Sequence, residues 1–199
     1  MATLIANNID VFGESFSGVD LSGKKISHSE FDECTFNDCN FSETFFFSCK
    51  FIECRFINCN LSLTKLTDSK LSDLDFTSCK MIGIDWTMAN WKTLNANPLR
   101  FKESILNDST FFGLQLDDII IKDCQAKEVD FSNGSFKKGD FRGSDFKGAL
   151  FSNTNLEGGN FTDATNTFIE IKSNHLKGAI FNRFEALYLL ETMGIILVD

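Results

Sequence analysis

The chain has 199 residues, 28 acidic and 19 basic side chains and a formal net charge of −9, and it contains 23 Phe but one Tyr, one Pro and two His. Nucleic-acid affinity depends on Lys and Arg neutralising phosphates, so this charge excludes a typical direct binder of nucleic acid and favours a basic partner. No apolar run approaches the roughly 18 residues of a membrane span, and no signal-peptide pattern stands in the N-terminal MATLIANNIDVFGESF. We expect a cytoplasmic protein without membrane contact, whose seven cysteines are reduced.

From Val11 onward, a large apolar residue returns at every fifth position. This register runs to Phe181 without a frame shift, and of its 35 positions only Asn166 is polar. It contains 17 of the 23 phenylalanines and is densest in FDECTFNDCNFSETFFFSCKFIECRFINCNL, residues 31–61. Neither a helix nor an ordinary strand has a face that repeats every five residues. The pattern predicts a chain that turns a corner at each repeat.

The repeats resemble those of the pentapeptide-repeat proteins, whose pattern is A(D/N)LXX. The matching segments are CNFSE, CTFND, VDFSN, GDFRG, SDFKG and GNFTD. The resemblance implies an all-β fold, a right-handed quadrilateral parallel β-helix in which four repeats make one coil and residues twenty apart stack about 4.8 Å apart. We expect one domain over 1–199, with repeats over about 11–183 forming about 8.5 coils and a rod of roughly 40 Å.

The position two before each large residue is mostly small, and it holds every cysteine. These are Cys34, Cys39, Cys49, Cys54, Cys59, Cys79 and Cys124. On a coil of twenty residues they form parallel columns, whereas a structural zinc site needs four ligands that converge tetrahedrally. We interpret the thiols as buried small hydrophobes and expect no metal, disulfide or cofactor.

The segment DWTMANWKTLNANPLRF, residues 85–101, keeps the five-residue frame but changes its chemistry. It contains both tryptophans, Ala96 in a large-residue position and the only proline, Pro98. Proline cannot donate to a strand ladder and restricts the residue before it. We expect an irregular coil with a helical turn that kinks the rod, the alternative being a slightly bulged coil without functional meaning.

The register ends after Phe181, and residues 183–199 follow another pattern. The sequence FEALYLLETMGIILVD predicts a short helix with an apolar stripe, a stop at Gly194 and a strand over IILV. An exposed apolar end of a solenoid favours association, so we predict a homodimer through this end, with a monomeric cap as the alternative. The predicted interface residues are Phe184, Leu187, Tyr188, Leu190, Met193, Ile195 and Ile196.

A narrower resemblance is to the topoisomerase-protecting branch of the family, which contains the Qnr quinolone-resistance proteins and the albicidin and microcin B17 self-resistance proteins. It is carried by LLETMGIILVD and by GESF, FNDCNF, CNLSLTKL, CKMIGIDW and ILNDSTFFGL, which look most like the albicidin-resistance member. The resemblance implies DNA mimicry, in which an acidic dimer binds DNA gyrase or topoisomerase IV and protects it from a poison. Qnr members carry projecting loops, and no frame-shifting insertion marks such a loop here.

Of the five positions in each repeat, the one that lies two residues after the large residue holds twelve of the 28 acidic residues. If each coil has twenty residues, residues twenty apart lie on the same face. One face then carries the most carboxylates, although Lys50 and Lys70 share it. We predict that this face contacts the partner, ordinary solubility charge being the alternative. The predicted contact residues are Glu30, Asp32, Glu33, Glu53, Asp73 and Asp130.

An enzyme is disfavoured. The sequence has no GxGxxG, GxxxxGK[ST], GxSxG or HExxH motif, and His28 and His175 stand far apart at outward positions without a recognisable partner. Because fold alone does not fix function, a structural or interaction scaffold without topoisomerase activity is the alternative to a topoisomerase-protecting protein.

Overall fold

The computed structural model describes residues 5–91, 99–196 and 198. Its elements are short because each strand forms one side of a coil. The strands are β1 Asp10–Phe12, β2 Ser15–Ser17, β3 Lys25–Ser27, β4 Glu30–Asp32, β5 Thr35–Asn37, β6 Phe45–Phe47, β7 Lys50–Ile52, β8 Arg55–Ile57, β9 Lys70–Ser72, β10 Asp75–Thr77, β11 Arg100–Lys102, β12 Ile120–Lys122, β13 Asn160–Phe161 and β14 Ile180–Phe181. The helices are two 3₁₀ turns, Trp86–Met88 and Ile171–Ser173, and α1, Arg183–Thr192.

All strand pairs are parallel, and they form four faces of one solenoid. Face 1 contains β1, β4, β7 and β9 and continues with residues 115, 135, 155 and 175. Face 2 contains β2, β5, β8, β10, β11 and β12 and continues with residues 140, 160 and 180. Face 3 is the bridged column 20, 40, 60, 80, 105, 125, 145 and 165, and face 4 contains β3, β6 and residues 65, 85, 110, 130 and 150. The predicted quadrilateral parallel β-helix is confirmed.

The large residue of each repeat points inward and stacks on its counterpart in the next coil. Along face 2, successive ring centroids lie 5.1, 4.7, 4.9 and 5.1 Å apart, close to the spacing of neighbouring strands. The rings of this column are those of Phe16, Phe36, Phe56, Phe76 and Phe101. Rings from adjacent faces meet edge to face, as for Phe36 and Phe41, which is a favoured aromatic geometry. The buried residues make one continuous cluster along the rod.

The small residue two places earlier also points inward, where its polar atom donates to a carbonyl of the preceding coil. Thr44 Oγ1 donates to Leu21 O at 2.8 Å, and Cys54 Sγ donates to Phe31 O at 3.3 Å. A buried hydroxyl without such a partner would be costly. Ser, Thr and Cys therefore suit this position because they are small and can donate a hydrogen bond.

One coil, here called the wide coil, contains 25 residues instead of 20, and the sequence does not reveal it. The backbone pairs Phe76 with Phe101, and Asp85 bridges Thr110, a separation of 25 residues instead of 20. An insertion of five residues leaves the five-residue register unchanged, so sorting by twenties assigns wrong faces to the residues that follow. The predicted helical turn in this coil is confirmed by the 3₁₀ turn at Trp86–Met88, whereas the expectations for Ala96 and Pro98 lie outside the described residues.

Candidate partner-binding surfaces

Part of the predicted acidic face is brought together at one corner of the rod. Glu33, Glu53 and Asp73 hold successive corner positions between face 1 and face 2, about 4.8 Å apart along the rod, and each has a left-handed backbone, with φ of 51°, 50° and 55°. We call these three residues the acidic corner. Glu33 and Glu53 are exposed, and Asp73 is half-buried.

A shallow groove of about 250 Å³ lies beside the acidic corner. It is lined by Glu33, Thr35, Glu53, Arg55, Asp73, Asp75 and Arg100. Arg100 Nε donates to Asp75 Oδ1 at 2.6 Å, and Arg100 Nη2 contacts Asp73. Hydrogen bonding to Asp75 raises the pKa of Arg100. A count in twenties does not bring Arg100 beside Asp75, because the wide coil separates the two residues by 25 positions.

Glu30 and Asp32 lie on face 1, next to the acidic corner. Lys50 Nζ donates to Glu30 Oε2 at 2.6 Å, and Lys70 follows Lys50 in the next coil. The hydrogen bond to Glu30 raises the pKa of Lys50. Lys50 therefore partly neutralises face 1, as Arg100 partly neutralises the acidic corner at Asp73. The exposed carboxylates of the corner are those of Glu33 and Glu53.

The predicted placement of Asp130 with Glu30 is wrong. Asp130 bridges Thr110 and Leu150 on face 4, whereas Glu30 pairs with Asp10 and Lys50 on face 1. The cause is the wide coil, which moves each later residue by one face relative to a count in twenties. Asp130 Oδ1 accepts a hydrogen bond from Ser132 N at 2.8 Å and so supports its own turn.

The C-terminal helix α1 closes the solenoid through one side of its surface. Glu185 accepts hydrogen bonds from Thr167 N at 2.9 Å and from Thr167 Oγ1 at 2.8 Å. Leu189, one turn later, is buried in the core, and the Tyr188 ring lies 4.9 Å from the Phe168 ring. These contacts fix the helix on the last coil.

The helix ends where the sequence predicts. Gly194 has a φ of 80°, its N–H donates to Glu191 O at 2.9 Å, and Ile195 N donates to Leu190 O at 3.3 Å. This pair of bonds is the Schellman arrangement, which needs a left-handed residue after the helix. The predicted strand over IILV is wrong for the described residues 195, 196 and 198, which have no strand pairing. Apolar β-branched residues do not form a strand without an adjacent edge to pair with.

The rest of α1 and the segment after it carry exposed apolar side chains. Of the predicted interface residues, Leu190 is half-buried, and the other six are exposed: Phe184, Leu187, Tyr188, Met193, Ile195 and Ile196. Phe184 is 80% exposed and Ile196 is 87% exposed. Large exposed apolar side chains that are grouped at one end of a protein mark an interaction surface.

The cysteines are buried and make up part of the core, as predicted. All seven are free thiols. Burial raises the pKa of the Cys54 and Cys124 thiols to about 12, so they are poor nucleophiles at neutral pH. Within residues 5–91, 99–196 and 198, no group of three or more His, Cys, Asp or Glu side chains is arranged to hold a metal ion.

His28 and His175 are exposed, as predicted, and the His28 ring meets Phe47 edge to face at 5.6 Å. Among the helices of the described part of the chain, none is long and apolar enough to cross a membrane.

Two models of protein families match the chain. Residues 29–100 match the model described as "Pentapeptide repeat region", and residues 127–164 match the model described as "Pentapeptide repeats (8 copies)". Together the matches cover more than half of the chain. No match was found among the curated proteins.

Solved structures share the fold. A trypsin-treated form of QnrB1, a plasmid-mediated fluoroquinolone resistance protein, is 20% identical, with 97% of this chain and 99% of that chain covered and a TM-score of 0.55. HetL, a pentapeptide repeat protein involved in heterocyst differentiation regulation from the cyanobacterium Nostoc, is 16% identical, with 87% and 85% covered and a TM-score of 0.61. At these identities the similarity shows the fold alone.

Proposed function

Because this chain belongs to the pentapeptide-repeat family, we propose that it is a non-catalytic protein that binds DNA gyrase or topoisomerase IV and protects the enzyme from a poison of the quinolone, albicidin or microcin B17 type. The acidic corner is the observation that carries this proposal. Its three corner positions follow one another at about 4.8 Å along the rod, a spacing of the same order as the axial rise of about 3.4 Å between charges on one DNA strand. A basic surface that receives DNA could therefore receive this corner.

The proposed mechanism is competition with DNA, the alternative being destabilisation of the trapped cleavage complex. Glu33 and Glu53 project from left-handed corners of a rod whose core is continuous, so the spacing of the two corners is fixed before binding and little backbone entropy is lost on association. The protein would compete with DNA for the enzyme and act stoichiometrically, without a chemical step. Similarity of fold to a fluoroquinolone resistance protein supports the choice of partner.

The test is protection of gyrase in a supercoiling assay, with a variant that changes charge without straining the backbone. Asn accepts a left-handed backbone, so Glu33→Asn with Glu53→Asn should fold normally and should lower the protecting activity about tenfold, the effect of two lost charge contacts. The matched control is Glu103→Asn with Asp123→Asn, which removes the same charge from left-handed corners between face 2 and face 3. The control should protect like the wild type.

An equal loss of protection in the two double variants would show that net charge, and not the acidic corner, supports binding, whereas wild-type protection by both variants would exclude the acidic corner as the binding surface. Failure of the wild-type protein to bind gyrase or topoisomerase IV, with or without any of the three poisons, would refute the proposed function. It would favour an interaction scaffold, a class consistent with the fold shared with HetL.

A further inference from the structure

Face 4 carries exposed apolar side chains that the acidic corner does not use. The exposed large apolar residues on this face and its two corners are Leu63, Met88, Phe112, Leu150 and Phe168. Two of them, Leu63 and Met88, line an open groove of about 670 Å³. We call it the Leu63–Met88 groove, and its lining residues are Glu43, Leu63, Thr64, Lys65, Thr67, Gly83, Asp85 and Met88.

Leu63 is unusual in both its backbone and its environment. It has a φ of 59°, and every other described residue with positive φ is polar or glycine. Its side chain is 52% exposed. A left-handed backbone disfavours leucine, which has no short polar side chain to bond locally, and exposure gives no hydrophobic gain. Such an outlier points to a role other than folding.

The neighbouring coil is shaped to hold this leucine over the groove. Leu63 N donates to Ile82 O at 2.8 Å, which fixes its backbone. A Cβ atom at Gly83 would lie 2.8 Å from Leu63 Cδ2, so the leucine side chain lies across bare glycine backbone. Any larger residue at position 83 would displace it. The apolar wall therefore depends on two adjacent corner positions.

The charges of the groove define what it would accept. Carboxylates of Glu43 and Asp85 line it, against one cation, Lys65. Asp85 Oδ1 accepts from Thr87 N at 3.0 Å and from Thr87 Oγ1 at 2.6 Å, so its position is fixed. The exposed Asp68 lies beside Met88, since Asp68 N donates to Met88 O at 3.0 Å. Apolar walls with a net negative rim complement an apolar side chain flanked by cations.

We propose that the Leu63–Met88 groove binds a segment of the protein partner that presents one apolar side chain between Lys or Arg residues. The groove lies on face 4, away from the acidic corner between face 1 and face 2, so it is a second and separate contact. The identity of the partner rests on the proposed function. An apolar anchor that fills a pocket within a polar rim is the usual form of an energetic hot spot.

The deciding variant is Leu63→Asn, because structural and binding roles predict opposite results. Asn is better suited than Leu to a left-handed backbone, so the melting temperature should stay equal or rise. Affinity for the gyrase holoenzyme should fall about tenfold through loss of the anchor. The matched control is Leu150→Asn, which removes an equally exposed leucine further along face 4 and should leave the affinity within about twofold.

A second measurement does not depend on gyrase. The ¹⁵N-labelled protein is titrated with a short peptide that has one leucine between pairs of Lys and Arg residues, and with the same peptide carrying Glu in place of the cations. The basic peptide should shift the amide signals of Thr67, Gly83 and Asp85, and the acidic peptide should not.

The two proposals can fail separately. If the basic peptide shifts the groove signals but the protein does not bind gyrase, the proposed groove stands and the topoisomerase partner is refuted. Wild-type affinity of Leu63→Asn for gyrase, together with unshifted groove amides, would overturn the groove.

Discussion

The position two after each large residue is a corner, where the chain turns from one face to the next. Nearly every such residue in the described ranges has a φ between 50° and 72°. Gly, Asn and Asp tolerate this region best, which explains much of the enrichment of acidic residues at this position. The backbone thus accounts for acids at corners in general, and a role in binding can be assigned only where neighbouring coils align them, as at Glu33 and Glu53.

The buried thiols give the protein a pH dependence on the alkaline side. Burial raises the pKa of Cys54 and Cys124 from 9.0 to about 12. The folded protein therefore holds these protons more tightly than the unfolded chain, and the contribution of the two thiols to the free energy of unfolding should be constant below about pH 9 and fall as the pH rises toward about 12. Urea unfolding between about pH 8 and pH 11 would measure this slope.

Cys124→Ala should make the decline shallower, because one of the titrating thiols is gone, even if the variant is less stable at every pH. Thr154→Ala, which also truncates a small buried residue, serves as the control and should keep the wild-type slope. Identical slopes for all three proteins would show that the thiols do not cause the alkaline loss of stability.

At the scale of elements, α1 has one side attached to the solenoid and one side exposed. We expect Phe184→Glu with Leu187→Glu to convert a dimer into monomers, measured by light scattering, because both side chains are exposed and would place charges inside the proposed interface. The helix should remain folded, since Glu185 and Leu189 still hold it in place. Phe12→Glu, an exposed residue at the opposite end of the rod, should leave the dimer intact. A dimer that persists in the double variant would place the interface elsewhere.

For α1, the sequence predicts some features of a single element and not others. Its existence and its stop at Gly194 follow from the apolar stripe and from the need for a left-handed residue. The stripe did not reveal which side faces the coil: Leu189 is the buried residue, whereas Leu190, assigned to the interface, is half-buried. The orientation depends on the polar contact between Glu185 and Thr167, two segments whose proximity only the fold determines.

For the whole molecule, the coil is the unit of stability, because each coil contacts only its neighbours. Deletion of residues 116–135 removes one complete coil and keeps every face aligned, so the shortened protein should fold cooperatively and be about 5 Å shorter in solution scattering. Deletion of residues 117–135 removes one residue fewer and shifts the register of every later repeat. That variant should lose its cooperative transition in circular dichroism, and equal melting of the two deletions would contradict a core built in fixed five-residue steps.

The sequence predicted the interior of the rod better than its exterior. The inward positions depend only on the period of five, which is visible at Phe36 or Cys54 without any knowledge of the coil. The face on which a residue lies depends on how many repeats make up each coil. That number changes from four to five between Asp75 and Arg100, and the five-residue period of the sequence does not change there. Asp130 was misplaced, and Arg100 was missed, for this one reason.

The wide coil also bears on how such a protein can diversify. An insertion of five residues that lengthens one coil to 25 residues, as here, keeps the later repeats on the faces that they would hold without the insertion. An insertion that instead formed one more side of the solenoid would rotate everything that follows by one side, about a quarter turn of the rod. Either change leaves the core filled. The rotation about the rod axis between the acidic corner near one end and α1 at the other can therefore change in discrete steps during evolution. A dimer formed through α1 could then present its two acidic corners in a small set of alternative orientations without losing stability.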